Sequence, residues 1–272
     1  MKFKHKLITI FLLVLVACEK EYQTENISRN IVVEGYVSPG DSVGIQIFRI
    51  LKYSGSDSVV TTVDTCTVDI FVNNKHFTLN KLNSGYYRLK VSSLAINEGD
   101  TIKMSFSVDG YSVNASTQVP AKPVNFKSSV TSVTMPSMSG GFNKGAFKQF
   151  EPLEFSWENK DNSYYMVAVK PVDETSELIN SRDTIDDGRR VRIFRNEPST
   201  SSSYMMEPFQ FRYYGKQYVI LYHLNPEYAS LYKFTGNTSL NITEPSTNVV
   251  NGLGIFTGMN TDTLIINVIK QN

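Results

Sequence analysis

Residues 101–118 read TIKMSFSVDGYSVNASTQ, and this stretch decides the fold class of the chain. Apolar side chains occupy every second position from Ile102 to Val108, which is the period of a strand with one buried face. Asp109-Gly110 then gives a turn signal, and alternation resumes at Tyr111. The stretch therefore predicts two β-strands joined by a turn.

The same period continues on both sides of this stretch. Turn signals rich in Gly, Asn and Pro separate the apolar runs at intervals of roughly 8–12 residues, a spacing typical of a β-sandwich. The segment from Val119 to Pro123 interrupts the pattern, because proline cannot donate a hydrogen bond within a central strand. We therefore expect a first β-sandwich over residues 31–120. Further alternating runs begin at Ile31, Val43, Val68 and Tyr87.

A second β-sandwich is expected over residues 121–272. Leu153–Trp157 and Tyr165–Val169 alternate like two paired strands, and the chain's single Trp is expected in the core between the sheets. A polar, loop-like segment follows over residues 172–203. Strand patterns resume after this segment, so the second domain is also β.

One short helix is predicted inside the second domain. Asn225-Pro226-Glu227 combines a residue that favours the helix cap, a proline at the first helical position and an acidic residue near the positive end of the dipole. Gly236 is the expected end of the helix. The predicted fold class is thus all-β with a single short helix.

The first 18 residues resemble the leader of a bacterial lipoprotein. Three lysines precede the apolar run Leu7–Val16, which is too short to cross a bilayer as a helix because that requires ~20 residues. Leu15-Val16-Ala17-Cys18 resembles the lipobox, in which the chain is cut before an acylated cysteine. An ordinary signal peptide beside a chance cysteine is the alternative. We expect a signal peptide over residues 1–17, lipidation of Cys18 and a flexible tether over residues 18–30.

The start of the tether also predicts a location. Glu19-Lys20-Glu21 resembles the signal that sends lipoproteins of Bacteroidota-type cells to the outer face of the outer membrane. A tether that is merely solvated is an equally good interpretation. We expect a lipid-anchored protein of the outer membrane that is exposed on the cell surface, held to the lipid by acylated Cys18.

Composition excludes one class of partner. The chain carries 27 basic and 26 acidic residues, and removal of Lys2, Lys4 and Lys6 with the signal peptide leaves a net charge of −2. A chain near neutrality lacks the basic footprint of a nucleic-acid-binding protein. With Cys18 acylated, Cys66 has no cysteine to pair with, and its alternating apolar neighbours predict a buried, inert thiol.

No catalytic or metal site is predicted. His76 and His223 are the histidines of the mature chain, and neither has a second metal ligand at a suitable spacing. Residues 40–44 match G-x-S-x-G, but they form a turn before a strand, whereas a nucleophile elbow needs a helix after the serine. Residues 183–188 begin like a calcium loop, but the twelfth position is Phe194 instead of a bidentate glutamate. We expect no enzyme activity and no cofactor.

Two features of the second domain are candidates for partner contact. Arg189, Arg190 and Arg192 lie in the long polar segment with Arg195, and loops of that length are often functional. A solvated loop whose charges compensate one another is the alternative. Aromatic residues are dense after residue 203, and Tyr204 and Tyr214 are left over once strand and helix faces are assigned. Exposed tyrosines of this kind give amphipathic contact area, although core packing accounts for most of the aromatics.

The chain resembles a family of Bacteroidota-type outer-membrane lipoproteins. The resemblance rests on the lipobox, on IVVEGYV at residues 31–37, on residues 99–120 and on NITEPSTNVVNGLGIFTG at residues 241–258. That family is known as a domain of unknown function, and its genes commonly lie beside TonB-dependent receptors. The resemblance implies a first sandwich like a carboxypeptidase-regulatory or an immunoglobulin domain, and a second sandwich like a decorated fibronectin domain. It implies no catalytic or binding residues.

These observations predict a non-catalytic lipoprotein that is accessory to a TonB-dependent receptor or transporter complex, with the β-barrel receptor as its partner. The alternative from a different class is a stand-alone module that binds a peptide or a glycan.

Overall fold

A computed structural model of the chain describes residues 31–50, 60–89, 95–136, 151–180, 193–232 and 246–271. Within these residues the backbone is mostly β-strand, with one short α-helix, α1 (Pro226–Ser230), and a 3-10 turn at Pro208–Gln210. The strands of the first half are β1 (Ile31–Val37), β2 (Val43–Ile50), β3 (Val60–Thr62), β4 (Val68–Val72), β5 (Lys75–Thr78), β6 (Asn80–Lys81), β7 (Tyr86–Leu89), β8 (Thr101–Val108) and β9 (Tyr111–Gln118). Those of the second half are β10 (Lys127–Ser128), β11 (Ser132–Met135), β12 (Leu153–Ser156), β13 (Tyr164–Pro171), β14 (Phe194–Arg195), β15 (Ser203–Met206), β16 (Gly215–Leu224), β17 (Val249–Val250) and β18 (Leu253–Lys270).

The stretch at residues 101–118 forms the predicted pair of strands. β8 and β9 are antiparallel, with Val108 opposite Tyr111. Asp109 and Gly110 between them both adopt positive φ, at 52° and 82°, as a two-residue type I′ turn requires. The side chains of β8 alternate between buried and outward positions, so its apolar residues face a core. The two-residue spacing of apolar residues in the sequence therefore matches the alternation of buried side chains along the strand.

The first sandwich packs two sheets around one core. A five-stranded sheet with the order β17-β9-β8-β4-β5 faces the β1, β2 and β7 part of a ten-stranded sheet. Fully buried side chains such as Val33, Ile45, Ile70 and Ile102 fill the space between them. Each of these residues is the inward member of an alternating strand.

The second sandwich has its own core on the same ten-stranded sheet. The three-stranded sheet β10-β12-β15 contributes Phe155 and Met206, and strands β13 and β16 contribute Val167 and Leu221. Trp157 lies in this core with 6% of its surface exposed, as the alternation of residues 153–157 predicts. The all-β sandwich fold with one short helix is therefore confirmed.

Strand β18 joins the two sandwiches. Residues 253–258 pair in parallel with β1, and residues 259–268 pair antiparallel with β16, so one sheet runs through both halves with the order β14-β13-β16-β18-β1-β2-β7-β6. Val249 and Phe256 lie in the first core, although the division at residue 120 assigns them to the second domain. The physical reason is that β1 pairs with β2 on one side only, and β18 hydrogen-bonds the edge that would otherwise be buried without partners.

The helix begins at the predicted residue but is not capped as expected. Asn225 has an extended backbone (φ −77°, ψ 156°) and makes no side-chain capping bond. Its side-chain amide instead donates to Thr117 Oγ1 (3.1 Å) and to the Gln118 carbonyl (2.7 Å), which ties the helix to the end of β9. Residues 233–236, where the helix was expected to end, lie outside the described residues. Among the described residues, the helix that is present is far too short to cross a bilayer.

Candidate functional site

Several sequence-predicted sites lie outside the described residues. Cys18, Arg189, Arg190 and Arg192 are among these, as is the acidic turn at residues 183–188. The lipidation site and the arginine cluster therefore stay predictions.

The two leftover tyrosines prove to be structural. Tyr204 is half-buried against the second core; its ring stacks on Phe194 with a centroid separation of 6.3 Å, and its hydroxyl lies 3.1 Å from the side-chain amide of Gln210. Tyr214 is only 6% exposed, and its hydroxyl donates to the Pro136 carbonyl (2.9 Å). The expectation that Tyr214 lies on the surface is wrong, because its ring belongs to the second core.

The histidines and Cys66 also sit in structural surroundings. His223 is buried, stacks on Tyr165 at 4.7 Å between ring centroids, and donates from Nδ1 to the Ala121 carbonyl (2.7 Å). His76 is exposed and lies 2.9 Å from Asp69 Oδ1. Burial raises the pKa of the Cys66 thiol, which lowers its thiolate fraction and hence its reactivity. Among the described residues, no group of three His, Cys, Asp or Glu side chains is placed to hold a metal ion.

A groove of about 310 Å³ opens on the outer face of the ten-stranded sheet, where the two sandwiches meet. Five adjacent strands (β14, β13, β16, β18 and β1) each contribute one side chain, and α1 contributes a sixth. We call this feature the junction groove; it is lined by Tyr36, Met166, Arg195, Tyr222, Tyr228 and Met259.

Strand alternation explains why these side chains share one face. In β1 the inward residues Gly35 and Val37 flank the outward Tyr36, which is 41% exposed. Met166 and Tyr222 are directly opposite each other in the β13–β16 ladder, between positions that face the second core. The signal in the sequence is a large aromatic residue at an outward strand position, but the sequence alone does not say that β1 and β16 belong to one sheet.

The aromatic rings in and beside the groove are inclined to one another. The rings of Tyr36 and Tyr228 are 6.2 Å apart at an interplanar angle of 67°, and those of Tyr228 and Tyr232 are 5.9 Å apart at 42°. The Tyr232 hydroxyl lies 4.0 Å from the sulfur of Met166, which is 3% exposed and forms part of the floor. The groove thus has tyrosine walls and a thioether floor, a combination that suits mixed polar and apolar partners.

Arg195 supplies the positive charge of the groove. Burial raises the pKa values of Tyr36, Tyr222 and Tyr228, so their hydroxyls stay protonated at neutral pH. The positive charge of Arg195, which lines the groove with these tyrosines, acts on all three pKa values in the opposite direction. Arg195 is exposed, and no carboxylate of the described residues forms an ion pair with it. The groove therefore offers a cation together with several hydroxyl donors.

A polar network holds the helix side of the groove in place. Glu227 of α1 accepts from Thr117 Oγ1 (3.0 Å) and from Thr257 Oγ1 (3.1 Å), which lie on β9 and β18. Thr117 also accepts from the Gly258 amide at 2.8 Å. These bonds fix Tyr228, the next residue of the helix, relative to β1. Side chains locked in this way lose little entropy when a partner binds.

A larger, shallower cleft of about 480 Å³ lies on the outer face of the five-stranded sheet. Phe71, Lys103, Asn114 and Val250 are part of its lining. The Phe71 ring stacks on His76 and Asn114 donates to Ser112, so both are already engaged within the protein. The junction groove is the better candidate because it combines three tyrosines with an arginine and because the Glu227 network holds its helix side in place.

The comparisons with known proteins concern fold and family. No curated protein sequence matches the chain. Among solved structures, the FN1–FN3 domains of chicken CNTN1 are similar at 10% identity with a TM-score of 0.25, and the match covers 86% of this chain and 63% of that one. The chain therefore spans less than two thirds of the length of that structure. The profile of a protein family described as a domain of unknown function (DUF4249) matches residues 19–265, and the chain belongs to this family.

Proposed function

We propose that this protein is a non-catalytic, lipid-anchored accessory of a TonB-dependent receptor complex in the outer membrane, and that it contacts the receptor through the junction groove. The observation that carries the proposal is the groove itself, in which tyrosines and an arginine that forms no ion pair with a described residue line a fixed concave surface. Tyr and Arg are enriched in the binding centres of protein interfaces, whereas Lys and Glu are depleted there.

The location of the groove supports a protein partner. It lies at the seam of the two sandwiches, where β18 passes from β1 to β16. A partner seated there touches both halves of the molecule at once, and the Glu227 network keeps the halves in register. The resemblance of the sequence to lipoproteins encoded beside TonB-dependent receptors supplies the kind of partner.

The proposed location rests on the sequence alone. Acylation of Cys18 anchors the chain, because each buried CH₂ contributes ~0.8 kcal/mol and two or three acyl chains are firm attachments. Glu19-Lys20-Glu21 supports export to the outer face of the outer membrane, where the tether over residues 18–30 would let the sandwiches reach a receptor.

The second candidate is a stand-alone module for a peptide or a glycan. The size of the junction groove favours it, since about 310 Å³ lies at the lower end of the range for small-ligand sites. Such a module binds its ligand without the receptor and is stabilised by it in a thermal melt.

Photo-crosslinking in living cells tests the proposal. A benzoylphenylalanine replaces Tyr36 at the groove, and in a matched control it replaces Ile265, which is 52% exposed on the same sheet face. Tyr36 pairs with Thr257, so the two positions are separated by about 26 Å along β18, given ~3.3 Å per strand residue from Thr257 to Ile265. We expect a crosslink to a TonB-dependent receptor, identified by mass spectrometry, from position 36 and none from position 265.

Equal crosslinking from both positions, or none from position 36, would overturn the receptor contact. A ligand-dependent rise in melting temperature without any receptor crosslink would favour the stand-alone module.

A further inference from the structure

We propose that the junction groove receives an acidic, apolar peptide segment, with one carboxylate of the segment paired to Arg195 and a neighbouring aliphatic side chain seated on Met166 and Met259. This inference rests on the proposed function, since the segment would belong to the protein partner.

The charge of the groove selects an anion at one end. Arg195 lies on β14, the outermost strand of the ten-stranded sheet, and it forms no ion pair with a described residue. A guanidinium binds a carboxylate through two parallel hydrogen bonds, and these are stronger than bonds between neutral groups. The tyrosines that line the groove add neutral hydroxyl groups that can also donate hydrogen bonds.

The β1 end of the groove lies beside a negative charge. Glu34 on β1 is exposed, and its negative charge contributes to the raised pKa of the Tyr36 hydroxyl, after the larger effect of burial. Four strand-to-strand steps separate β1 from β14, which is about 19 Å at ~4.8 Å per step. The acidic residue of the segment is therefore expected over β14, and this polarity gives the segment a direction in the groove.

The floor of the groove selects an apolar side chain. Met166 is 3% exposed and Met259 is half-buried, so the surface between the tyrosines is thioether and methyl. The methionine side chain is unbranched and flexible, so it can pack against groups of different shapes. An aliphatic side chain next to the acidic residue fits this surface.

The arrangement of the rings favours a peptide over a sugar. A sugar ring stacks on one flat, open aromatic face, but Tyr36 and Tyr228 meet at 67° and Tyr228 and Tyr232 meet at 42°. Rings inclined to one another at these angles form the walls of a slot instead of a platform. A slot whose walls present both apolar rings and polar hydroxyls is suited to side chains that project from an extended peptide backbone.

Methyl NMR on the chain from residue 19 onward, labelled at the methionine methyl groups, tests the inference. The probes are acetyl-Gly-Leu-Asp-Leu-Gly-amide, the same peptide with Asn in place of Asp, and a hyaluronan tetrasaccharide as an acidic glycan. We expect the Asp peptide to shift the Met166 and Met259 signals, and the Asn peptide to bind about tenfold more weakly because it lacks the charge-assisted bond. Added salt should lower the affinity of the protein for the Asp peptide and leave its affinity for the Asn peptide nearly unchanged.

Two variants test whether Arg195 is the group that binds the carboxylate. Arg195→Gln should reduce the affinity for the Asp peptide to that of the Asn peptide, while Glu34→Gln, the matched charge control, should leave it equal or higher. Equal affinities for the Asp and Asn peptides, an unaffected Arg195→Gln variant, or shifts caused by the tetrasaccharide alone would each overturn the inference.

The outcomes separate this inference from the proposed function. If the receptor crosslink at position 36 survives in Arg195→Gln, the receptor contact stands and the acidic segment is refuted. If the peptide binds with the expected charge dependence but no receptor crosslink forms, the chemistry of the groove stands and the receptor role fails.

Discussion

Truncating Phe256 to alanine tests whether the two sandwiches unfold as one unit. Phe256 is fully buried in the first core, but it lies on β18, the strand that also completes the second sandwich. Its ring packs directly on the backbone of β1, since a Cβ added at Gly35 would lie 2.7 Å from the ring. The substitution therefore leaves a cavity in the first core and weakens the seam at the same time.

The size of the effect follows from burial. Replacing a fully buried phenylalanine by alanine costs about 3–5 kcal/mol of unfolding free energy. In a protein of this length each kcal/mol lowers the melting temperature by about 2–4 °C, so the expected drop is about 6–20 °C. Ile265→Ala is the matched control, because Ile265 lies on the same strand but is 52% exposed, and a surface change of this kind costs at most about 1 kcal/mol.

The single Trp makes the two halves distinguishable. Trp157 is buried in the second core, so its fluorescence reports the unfolding of that sandwich, whereas far-ultraviolet circular dichroism reports all the strands. If β18 makes the sandwiches cooperative, Phe256→Ala lowers the midpoint of both signals by the same amount. A Trp157 transition that keeps its wild-type midpoint, while circular dichroism reveals a separate earlier transition, would refute the coupling.

Three further outcomes are expected. Cys18→Ala should give a protein without acyl mass that leaves the membrane fraction, and a variant that stays membrane-bound contradicts the lipoprotein prediction. Alanine at residues 19–21 should protect the protein from protease added to intact cells, and equal protection of wild type and variant would place it on the periplasmic side. The hydrogen bond from Thr78, helped by His76, holds the pKa of Asp69 below its usual range, so Asp69 contributes stability above its unfolded-state pKa of ~3.9 that is lost as pH falls through the folded value. The melting-temperature difference between wild type and Asp69→Asn should therefore shrink in acid, and a difference independent of pH would contradict the assignment.

The sequence predicts local strands well because their signal is local. The inward residues of β8 and the Asp109-Gly110 turn lie where the period of two and the turn propensity place them. Trp157 is in the core for the same reason, since it continues the alternation of Leu153 and Phe155. Such features depend on neighbours a few residues away.

The groove is not predicted because it depends on contacts between distant residues. Tyr36 and Tyr222 come from strands that are separated by β18 in one sheet, and no local pattern states that β18 pairs with both β1 and β16. Tyr214 was expected on the surface because the sequence does not say which face of its segment is covered. Asn225 was expected to cap α1, but its amide is used between the sandwiches. Long-range pairing decides each of these positions.

The pairing of β1 with β18 also sets the order in which the molecule can be assembled. Val32 pairs with Leu253, 221 positions later in the chain. A chain that emerges with its early residues first cannot complete the first sandwich until residues 249–258 have followed, and closing so long a loop is slow. During synthesis β1 therefore presents an unpaired edge that neighbouring chains could join. Late closure of this kind makes the exposed β1 edge the place where a holding chaperone would be needed during folding.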